Sequence, residues 1–318
     1  MNHLSVVIVN WNTKDFLVDC IRTILKTTIE NRVEIIVVDN GSRDSSPAAA
    51  GDFEGVTVIC NQRNLGFAAA NNIGIRASTG KYVCLVNSDV KVLEGCLDRM
   101  CQYMEGHPKV GLLGPRVLNK DLSLQRSCAE LPSVWNTLTQ ALMLDKLFPK
   151  VRCFRARFMG DFDHASERNV EVLSGCFLMA RRKAIGEVGL LDERFFIYKE
   201  DVDWCKRFGE AGWRVRFYPQ ASAIHYGGAS SLVAPAAFLI EMEKANLQYW
   251  RKHHTRIGYA ATAVISLAYH WLRMCGWGLL YLLRPGNSIL SRQMMVRYAA
   301  CVRWLARAHG TGSEYLMR

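Results

Sequence analysis

The sequence lacks the paired cysteines that mark disulfide frameworks and zinc sites. Its 11 cysteines are scattered singly from Cys20 to Cys301, with no C-x-x-C pair. Neither a small disulfide-stabilised fold nor a zinc knuckle is therefore indicated. The N-terminus also lacks the charged stretch and long apolar run of a signal peptide. These absences predict a reduced protein whose catalytic portion stays in the cytoplasm.

Two kinds of nucleotide-binding enzyme are disfavoured because their glycine-rich motifs are missing. The first predicted strand, Leu4–Val9, is followed by Asn10-Trp11-Asn12 rather than by G-x-G-x-x-G, which argues against a dinucleotide-binding dehydrogenase. A glycine-rich loop with a basic residue, expected of a sugar nucleotidyltransferase, is missing from the same place. No nucleic-acid reading module accompanies the net charge of +11, so nucleic acid is not an expected partner.

Positive charge is concentrated in the last part of the chain. Residues 232–318 hold 11 Lys and Arg against 3 Asp and Glu, a net of +8. Residues 257–283 are strongly apolar but carry Thr262, Ser266, His270 and Arg273 at helical spacing. We interpret this region as basic amphipathic helices in peripheral contact with an anionic membrane. The alternatives are a transmembrane helix over residues 257–283, packing on the catalytic domain and formation of a homo-oligomer through these helices.

The first part of the chain alternates predicted strands and helices, which is typical of an open, mostly parallel α/β sheet with helices on both faces. Further strands are predicted over residues 170–180, 214–218 and 222–226. Polar residues follow each strand, and ligands of such sheets bind beyond the carboxyl ends of the strands. The sequence therefore predicts one polar edge, formed by Asn12, Asp39, Asn64 and Asp89.

Three carboxylates, Glu200, Asp201 and Asp203, lie in the first turn of a predicted helix. Acidic residues are common there because the helix dipole attracts negative charge, so a purely structural role is one explanation. Catalysis is the other. Asn87 and Asp89 could likewise form a turn or hold a divalent cation, and His225 could be structural or a ligand.

Taken together, these motifs resemble glycosyltransferase family 2, and specifically its rhamnosyltransferase-like branch. The resemblance covers about residues 4–230 and rests on the following segments: 6–12, 37–42, 64–67, 86–89, 175–178, 191–196, 200–203 and 225–228. It implies a GT-A fold, which is a Rossmann-like sheet, over a catalytic domain of residues 1–231. Residues 232–318 form the C-terminal helical region.

The resemblance also implies roles for individual residues. Asp201 matches the catalytic base, with Glu200 assisting it, and Asp89 and His225 match a site for Mg²⁺ or Mn²⁺. Asp203 and Trp204 are placed near the acceptor, although packing is the favoured role of Trp204. The implied nucleotide-sugar site contains Val9, Asn10, Asn12, Asp39, Asn64, Gly66, Asn87 and Ser88. Asn87 and Ser88 depart from the family pattern, which has an acid and commonly a proline at these positions, so fewer carboxylates are available for a metal.

The expected function is therefore inverting transfer of a sugar, with rhamnose as one candidate, from a nucleoside diphosphate donor. A glycan or lipid-linked acceptor in cell-surface polysaccharide synthesis, met at the cytoplasmic face of the inner membrane, is the expected partner. Two alternatives are a different nucleotide-sugar enzyme and an inactive membrane-bound scaffold with the same fold. Asp39, Asp89, Glu200 and Asp201 are all present, which disfavours the scaffold.

Overall fold

The computed structural model describes residues 3–28, 33–148, 151–154, 159, 162–227, 235–283 and 288–310. The chain divides into two compact units. The first consists of Met1–Leu131 and Ala156–Ser230, and the second of Pro132–Arg155 and Ser231–Arg318. Residues 132–155 thus group with the C-terminal helices, whereas the sequence placed them in the catalytic domain.

The described residues form strands and helices that alternate through most of the first unit. The strands are β1 Leu4–Asn10, β2 Val33–Asp39, β3 Val56–Cys60, β4 Tyr82–Asn87, β5 Val90–Val92, β6 Val110–Leu118, β7 Cys128–Ala129, β8 Arg168–Asn169, β9 Val172–Leu173, β10 Phe177–Arg181 and β11 Arg214–His225. The helices are α1 Lys14–Thr27, α2 Ser46–Gly51, α3 Phe67–Ala77, α4 Cys96–Gly106, α5 Val134–Ala141, α6 Leu144–Leu147, α7 Arg182–Val188, α8 Glu200–Glu210, α9 Pro235–His253, α10 Arg256–Leu283 and α11 Ser288–Gly310, with a short 3₁₀ turn at Arg152–Phe154.

The main sheet has the strand order β3-β2-β1-β4-β10-β6-β11-β5, with β8 paired to β11. Strands β1 to β4 are parallel, and β10 runs antiparallel to both β4 and β6. Val6 and Ile8 of β1 pack into one hydrophobic cluster while Val7 packs into another. Because both faces of the strand are covered, it has no need of polar alternation, which explains its continuous apolar run.

Two predicted strand patterns differ from the structure. The run predicted as one strand over residues 170–180 is split into β9 and β10 by the turn at 174–176. Conversely, the two strands predicted over residues 214–218 and 222–226 are one strand, β11. Its register against β6 shifts between Arg214 and Val215 and again between Tyr218 and Ser222. Such irregularities bend a strand without ending it, so residues 219–222 lie within β11.

The second unit is helical in its described part, and α10 and α11 pack on each other and on α9. In the described residues, every helix is too short or too polar to cross a membrane. The polar stripe predicted on α10 is present, but it points into the unit: Thr262, Ser266 and His270 are buried.

Candidate active site

The turns after β1 and β2 are joined by side-chain hydrogen bonds at the carboxyl edge of the sheet. The Asn10 side-chain amide donates to Asp39 Oδ1 at 3.0 Å and to Ser42 Oγ at 3.1 Å. The Ser42 main-chain N–H donates to Asp39 Oδ2 at 2.9 Å. Asp39 is buried and accepts hydrogen bonds from Asn10 at the end of β1 and from Ser42 in the turn after β2. These bonds fix its orientation without a ligand.

Asn12 lies in the same turn with φ at 54°, in the left-handed region. Its N–H donates to Ser42 Oγ at 2.9 Å, and its Oδ1 accepts the N–H of Arg43 at 2.7 Å. Asn12 is exposed, and Val9 is half-buried at the end of β1. The structure thus brings Val9, Asn10, Asn12 and Asp39 to one edge, as the spacing predicts.

Asn40 organises the next turn, a role that sequence reasoning missed. Its side-chain amide donates to Asn64 Oδ1 at 2.8 Å and to the Gly66 carbonyl oxygen at 3.2 Å. Its Oδ1 accepts from the Asn61 amide and from the Leu65 N–H, both at 3.0 Å. Because the buried Asn40 side chain makes all four of these hydrogen bonds, it fixes the positions of Asn64 and Gly66. The only signal for this role in the sequence is that the polar residue Asn40 directly follows Asp39 at the end of β2.

Asn87, Asp89 and His225 converge at the end of β4. His225 Nε2 lies 3.2 Å from Asp89 Oδ1 and 3.5 Å from the Asn87 amide nitrogen. Burial lowers the pKa of His225, but its contacts with Asp89 and Cys176 outweigh that effect and raise it to about 10. Without a cation, His225 and Asp89 are therefore an ion pair. Ser88 points elsewhere, and its hydroxyl lies 2.8 Å from that of Thr13.

Gln125 orients His225, and this residue was also missed. The His225 Nδ1–H donates to Gln125 Oε1 at 2.7 Å, and the Gln125 amide group donates to Asn119 Oδ1 at 2.8 Å. Fixing Nδ1 as a donor leaves Nε2 as the nitrogen that faces Asp89, which is the arrangement of a metal-binding histidine. Gln125 lies in the irregular segment after β6, where no pattern distinguished it.

These residues fit a divalent cation if a ligand completes the shell. Asn87 Oδ1 is buried and lacks a hydrogen-bond partner in the structure. It is an oxygen donor beside Asp89 and His225, and oxygen donors suit Mg²⁺ and Mn²⁺. Within the described ranges, no group of three or more His, Cys, Asp or Glu side chains is spaced to hold a metal alone. The protein therefore supplies few ligands, and His225 must lose its proton to become one.

The predicted base, Asp201, is oriented by two main-chain N–H groups. Its Oδ2 accepts from Gly175 at 2.9 Å, and its Oδ1 accepts from Val202 at 2.8 Å. Asp201 is half-buried, whereas its neighbour Glu200 is buried and its Oε2 has no hydrogen-bond partner. Burial, reinforced by the charge of Asp201, holds the pKa of Glu200 well above its ordinary value. Glu200 therefore keeps its proton to a higher pH than an ordinary glutamate does.

Gly175 and Cys176 connect the predicted base to the predicted cation site. Gly175 donates its N–H to Asp201, and the Cys176 carbonyl oxygen accepts the N–H of Asn87 at 2.9 Å. The Cys176 side chain also contacts His225. Two consecutive residues thus hold Asp201 on one side and the Asn87–Asp89 turn on the other.

The segment before α8 is held against the start of α3. The Phe67 N–H donates to the Phe196 carbonyl oxygen at 2.5 Å. Gly66 has φ at 91°, and a Cβ built on it would lie 2.6 Å from that same oxygen. Tyr198 and Lys199 then both adopt the left-handed conformation, with φ at 71° and 67°. Two such residues in succession turn the chain sharply and direct the start of α8 to its position.

Asp203 and Trp204, which the resemblance places near the acceptor, lie in the interior of the first unit. Both are fully buried. Asp203 Oδ2 accepts from Arg207 Nε at 2.8 Å, and the Trp204 Nε1–H donates to the Gly189 carbonyl oxygen at 2.9 Å. Because the first turn of α8 exposes only one side, Asp201 can face the site while Asp203 faces the core. Packing is the role of Trp204.

A cavity of about 570 Å³ lies beside the cation site, lined by Asn119, Lys120, Asp121 and Tyr226. Gln125 contacts both Asn119 and His225, so the cavity and the histidine share a neighbour. The volume is in the range of small-molecule sites. An aromatic ring with amide, carboxylate and ammonium groups offers both stacking and hydrogen bonds to a polar ligand.

Comparison with known proteins agrees with this geometry. The family model described as "Glycosyl transferase family 2" matches residues 5–189. The N-acetylglucosaminyl-diphospho-decaprenol L-rhamnosyltransferase of Mycobacterium tuberculosis is 31% identical over 244 residues, covering 73% of this chain and 78% of the relative. The dTDP-rhamnosyl transferase RfbF of Shigella flexneri is 26% identical over 234 residues, covering 73% and 71%.

A solved structure of similar fold is the mannosyltransferase PcManGT from Pyrobaculum calidifontis, in complex with GDP-Man and Mn²⁺. It aligns with a TM-score of 0.57 at 15% identity and covers 98% of this chain and 88% of its own. At that identity the likeness concerns the fold alone. The predicted α/β architecture of the GT-A type, with added C-terminal helices, is confirmed.

Proposed function

The chain belongs to glycosyl transferase family 2, and we propose that it moves a sugar with inversion from a nucleoside diphosphate donor to an acceptor hydroxyl group. Transfer of a sugar from a nucleotide sugar follows from the family. Inversion, the identity of the sugar, the acceptor and the need for a metal are our proposal.

The single observation that carries the proposal is the bridge formed by Gly175 and Cys176. It joins Asp201, a carboxylate oriented by main-chain N–H groups, to Asn87 beside the Asp89–His225 pair. Inverting displacement needs a base on the acceptor side and charge neutralisation on the diphosphate side. The Gly175–Cys176 link holds the proposed base and the proposed cation site at a fixed separation.

In this proposal each residue has a defined task. Asp201 accepts the proton of the acceptor hydroxyl group, and Glu200, buried behind it, sets its charge environment. Asp39, Asn10, Asn12 and Val9 hold the nucleobase and ribose of the donor, while Asn64, Gly66 and Asn87 line the path to the sugar. Ser88 supports the Asn87 turn through its hydroxyl contact with Thr13. Asp89, His225 and Asn87 would hold Mg²⁺ or Mn²⁺, which when bound neutralises the charge of the leaving diphosphate.

Rhamnose is the proposed sugar because two relatives are named as rhamnosyltransferases. One of those names describes an acceptor in which a sugar is linked through a diphosphate to a polyprenyl lipid. We extend that class to this chain as a lipid-linked or glycan acceptor in cell-surface polysaccharide synthesis. Such an acceptor is met at the cytoplasmic face of the inner membrane, so peripheral binding there is part of the proposal. A homo-oligomer through the C-terminal helices is the alternative use of that region.

A thermal-shift screen tests the donor half of the proposal. Nucleoside diphosphates and their rhamnose, glucose and mannose conjugates are compared with and without Mg²⁺ or Mn²⁺. A ligand at 100 times its dissociation constant stabilises the folded protein by about 2.7 kcal/mol. We expect a metal-dependent shift for one nucleoside and a turnover product of inverted anomeric configuration by NMR. Retained configuration, or no shift with any donor, would sink the proposal.

A further inference from the structure

Helix α10 has its polar and apolar sides reversed relative to a helix on a water-exposed protein surface. Thr262 and His270 on its inner side are 0% and 1% exposed, while Trp271 and Leu279 on its outer side are 51% and 57% exposed. At 100° per residue, eight large apolar side chains that are exposed fall within about 160° of the helix circumference. We call this arc the outer face of α10. Its large apolar members are Ile257, Val264, Leu267, Trp271, Leu272, Leu279, Leu282 and Leu283.

The inner side holds the polar groups that a water-exposed helix would present to solvent. His270 Nε2 lies 3.1 Å from Glu243 Oε1 of α9, and both residues are buried. The Arg273 guanidinium contacts Met143 and stacks over the ring of Tyr269. The unit therefore buries these polar groups between its helices and exposes leucines instead, although Thr262 Oγ1 and His270 Nδ1 lack a hydrogen-bond partner among the described residues. A continuous exposed apolar surface of this length marks an interaction site.

The charge of the same helix pair indicates which partner fits. Helices α10 and α11 contain six arginines and no Asp, Glu or Lys. Arg292, Arg303 and Arg307 are exposed on α11, and the two acidic residues of α9, Glu241 and Glu243, are buried. A second copy of this helix pair would bring two sets of arginines together, with no exposed acidic residue of α9, α10 or α11 to pair with them. An anionic lipid headgroup layer complements the arginines, and the acyl region beneath it complements the leucines.

We propose that the outer face of α10 is the membrane-binding surface of the protein and lies in the headgroup and acyl boundary of an anionic bilayer. The inference rests on the proposed function only in that the acceptor is met at a membrane. It goes beyond that function by assigning the contact to apolar side chains of α10 rather than to the arginines alone. The polar stripe faces away from the lipid and into the protein.

The test uses full-length protein and vesicles of phosphatidylethanolamine with phosphatidylglycerol. Leu272→Glu/Leu279→Glu puts two carboxylates on the outer face at positions that are 56% and 57% exposed. The matched control, Leu25→Glu/Leu122→Glu, makes the same changes at exposed leucines of the first unit. We expect the outer-face variant to bind vesicles about tenfold or more weakly, because burial of two leucines is lost. The control should bind like the wild type.

Quenching by brominated lipid gives a second measurement. Trp271 is the outer-face tryptophan, so Trp271→Phe should reduce the quenching of protein fluorescence, whereas Trp213→Phe in the first unit should leave it unchanged. Equal vesicle binding by both double variants would overturn the proposal. So would loss of self-association in the outer-face variant with unchanged vesicle binding, which would identify a dimer interface.

Nucleoside diphosphate affinity separates this inference from the proposed function. The outer-face variant should bind the nucleotide like the wild type, which also shows that it is folded. If the wild type binds vesicles through α10 but no nucleotide, the proposed function fails and the surface assignment stands.

Discussion

The main-chain N–H of Phe67 donates a 2.5 Å hydrogen bond to the carbonyl oxygen of Phe196. Phe67 begins α3, directly after the Asn64–Gly66 turn of the proposed donor site, and Phe196 lies four residues before Glu200. The turn that holds the donor and the segment that leads to the base therefore touch directly. Any change at this contact moves the two parts of the site relative to each other.

Gly66→Ala should lower both stability and turnover. Its φ of 91° is unfavourable for alanine, and the new Cβ would lie 2.6 Å from Phe196 O. Strain of this kind costs about 1–3 kcal/mol. Thermal denaturation and steady-state kinetics measure the two effects. Gly209→Ala in α8 is the control, because a Cβ there meets nothing within 4 Å, and it should be neutral or slightly stabilising. Equal stability and turnover of the two variants would show that the close contact between Gly66 and Phe196 is not required.

Asp201→Asn should lower kcat by about 10² to 10⁴, the contribution of a general base. The amide keeps the size of the side chain and one acceptor oxygen, so donor binding should be unchanged within a factor of about two. Product formation and calorimetric donor titration are the two measurements. Asp52→Asn, at an exposed position, is the control. Turnover near the wild-type rate would mean that another group takes the proton.

Asp89→Ala should weaken metal-dependent donor binding by about tenfold or more, since a charged oxygen is lost from a site with few protein ligands. Titrating a nucleoside diphosphate with and without Mn²⁺ gives the metal-dependent gain in affinity. Asp52→Ala serves as the matched aspartate control. If Mn²⁺ improves affinity equally in the wild type and in Asp89→Ala, Asp89 does not hold the cation.

Glu200→Gln should become more stable relative to the wild type as the pH rises. Burial raises the pKa of Glu200 well above its usual 4.5. At a pH between the usual pKa and the raised pKa, Glu200 has released its proton in the unfolded chain and keeps it in the folded chain. Wild-type stability therefore falls with pH, by at most about 1.4 kcal/mol per pH unit for one proton. Melting temperatures from about pH 5 to pH 8 measure this, with exposed Glu54→Gln as the control. Parallel curves for wild type and Glu200→Gln would contradict the burial argument.

Asp203→Asn should destabilise the fold by about 3 kcal/mol without changing the KM for the acceptor, because it breaks a buried pair with Arg207. Asp19→Asn removes a pairing of Asp19 with Arg22 in which both side chains are largely exposed, and should cost less than about 1 kcal/mol. Denaturant unfolding compares the two variants. A raised acceptor KM at unchanged stability would instead support the predicted acceptor role of Asp203.

Much of the first unit could be predicted because its determinants are local. Continuous apolar runs marked β1, β2 and β4, and the polar residues after them marked the edge that carries Asp39 and Asp89. Gln125 could not be predicted, since its role depends on a histidine 100 positions away. Spacing places Asp203 and its partner Arg207 on one face of a helix. It could not show whether that face or the face of Asp201 lies in the core.

The same limit applies to α10. Its polar stripe was visible in the sequence, but whether the stripe faces water or the neighbouring helices depends on what packs against it. Burial of Thr262, Ser266 and His270 answers that question. The periodicity of a helix defines its two sides without assigning them to solvent or interior.

The contact between Asn87 and His225 also has a consequence for the order in which the site is synthesised. Asn87 and His225 are 138 positions apart, and at about 5–20 residues per second a ribosome needs roughly 7 to 28 s to reach the second after the first. During that interval Asn87 and Asp89 have been synthesised, but His225, which they contact in the folded protein, has not. His225, the proposed cation ligand, is therefore synthesised only when nearly the whole first unit has already been made.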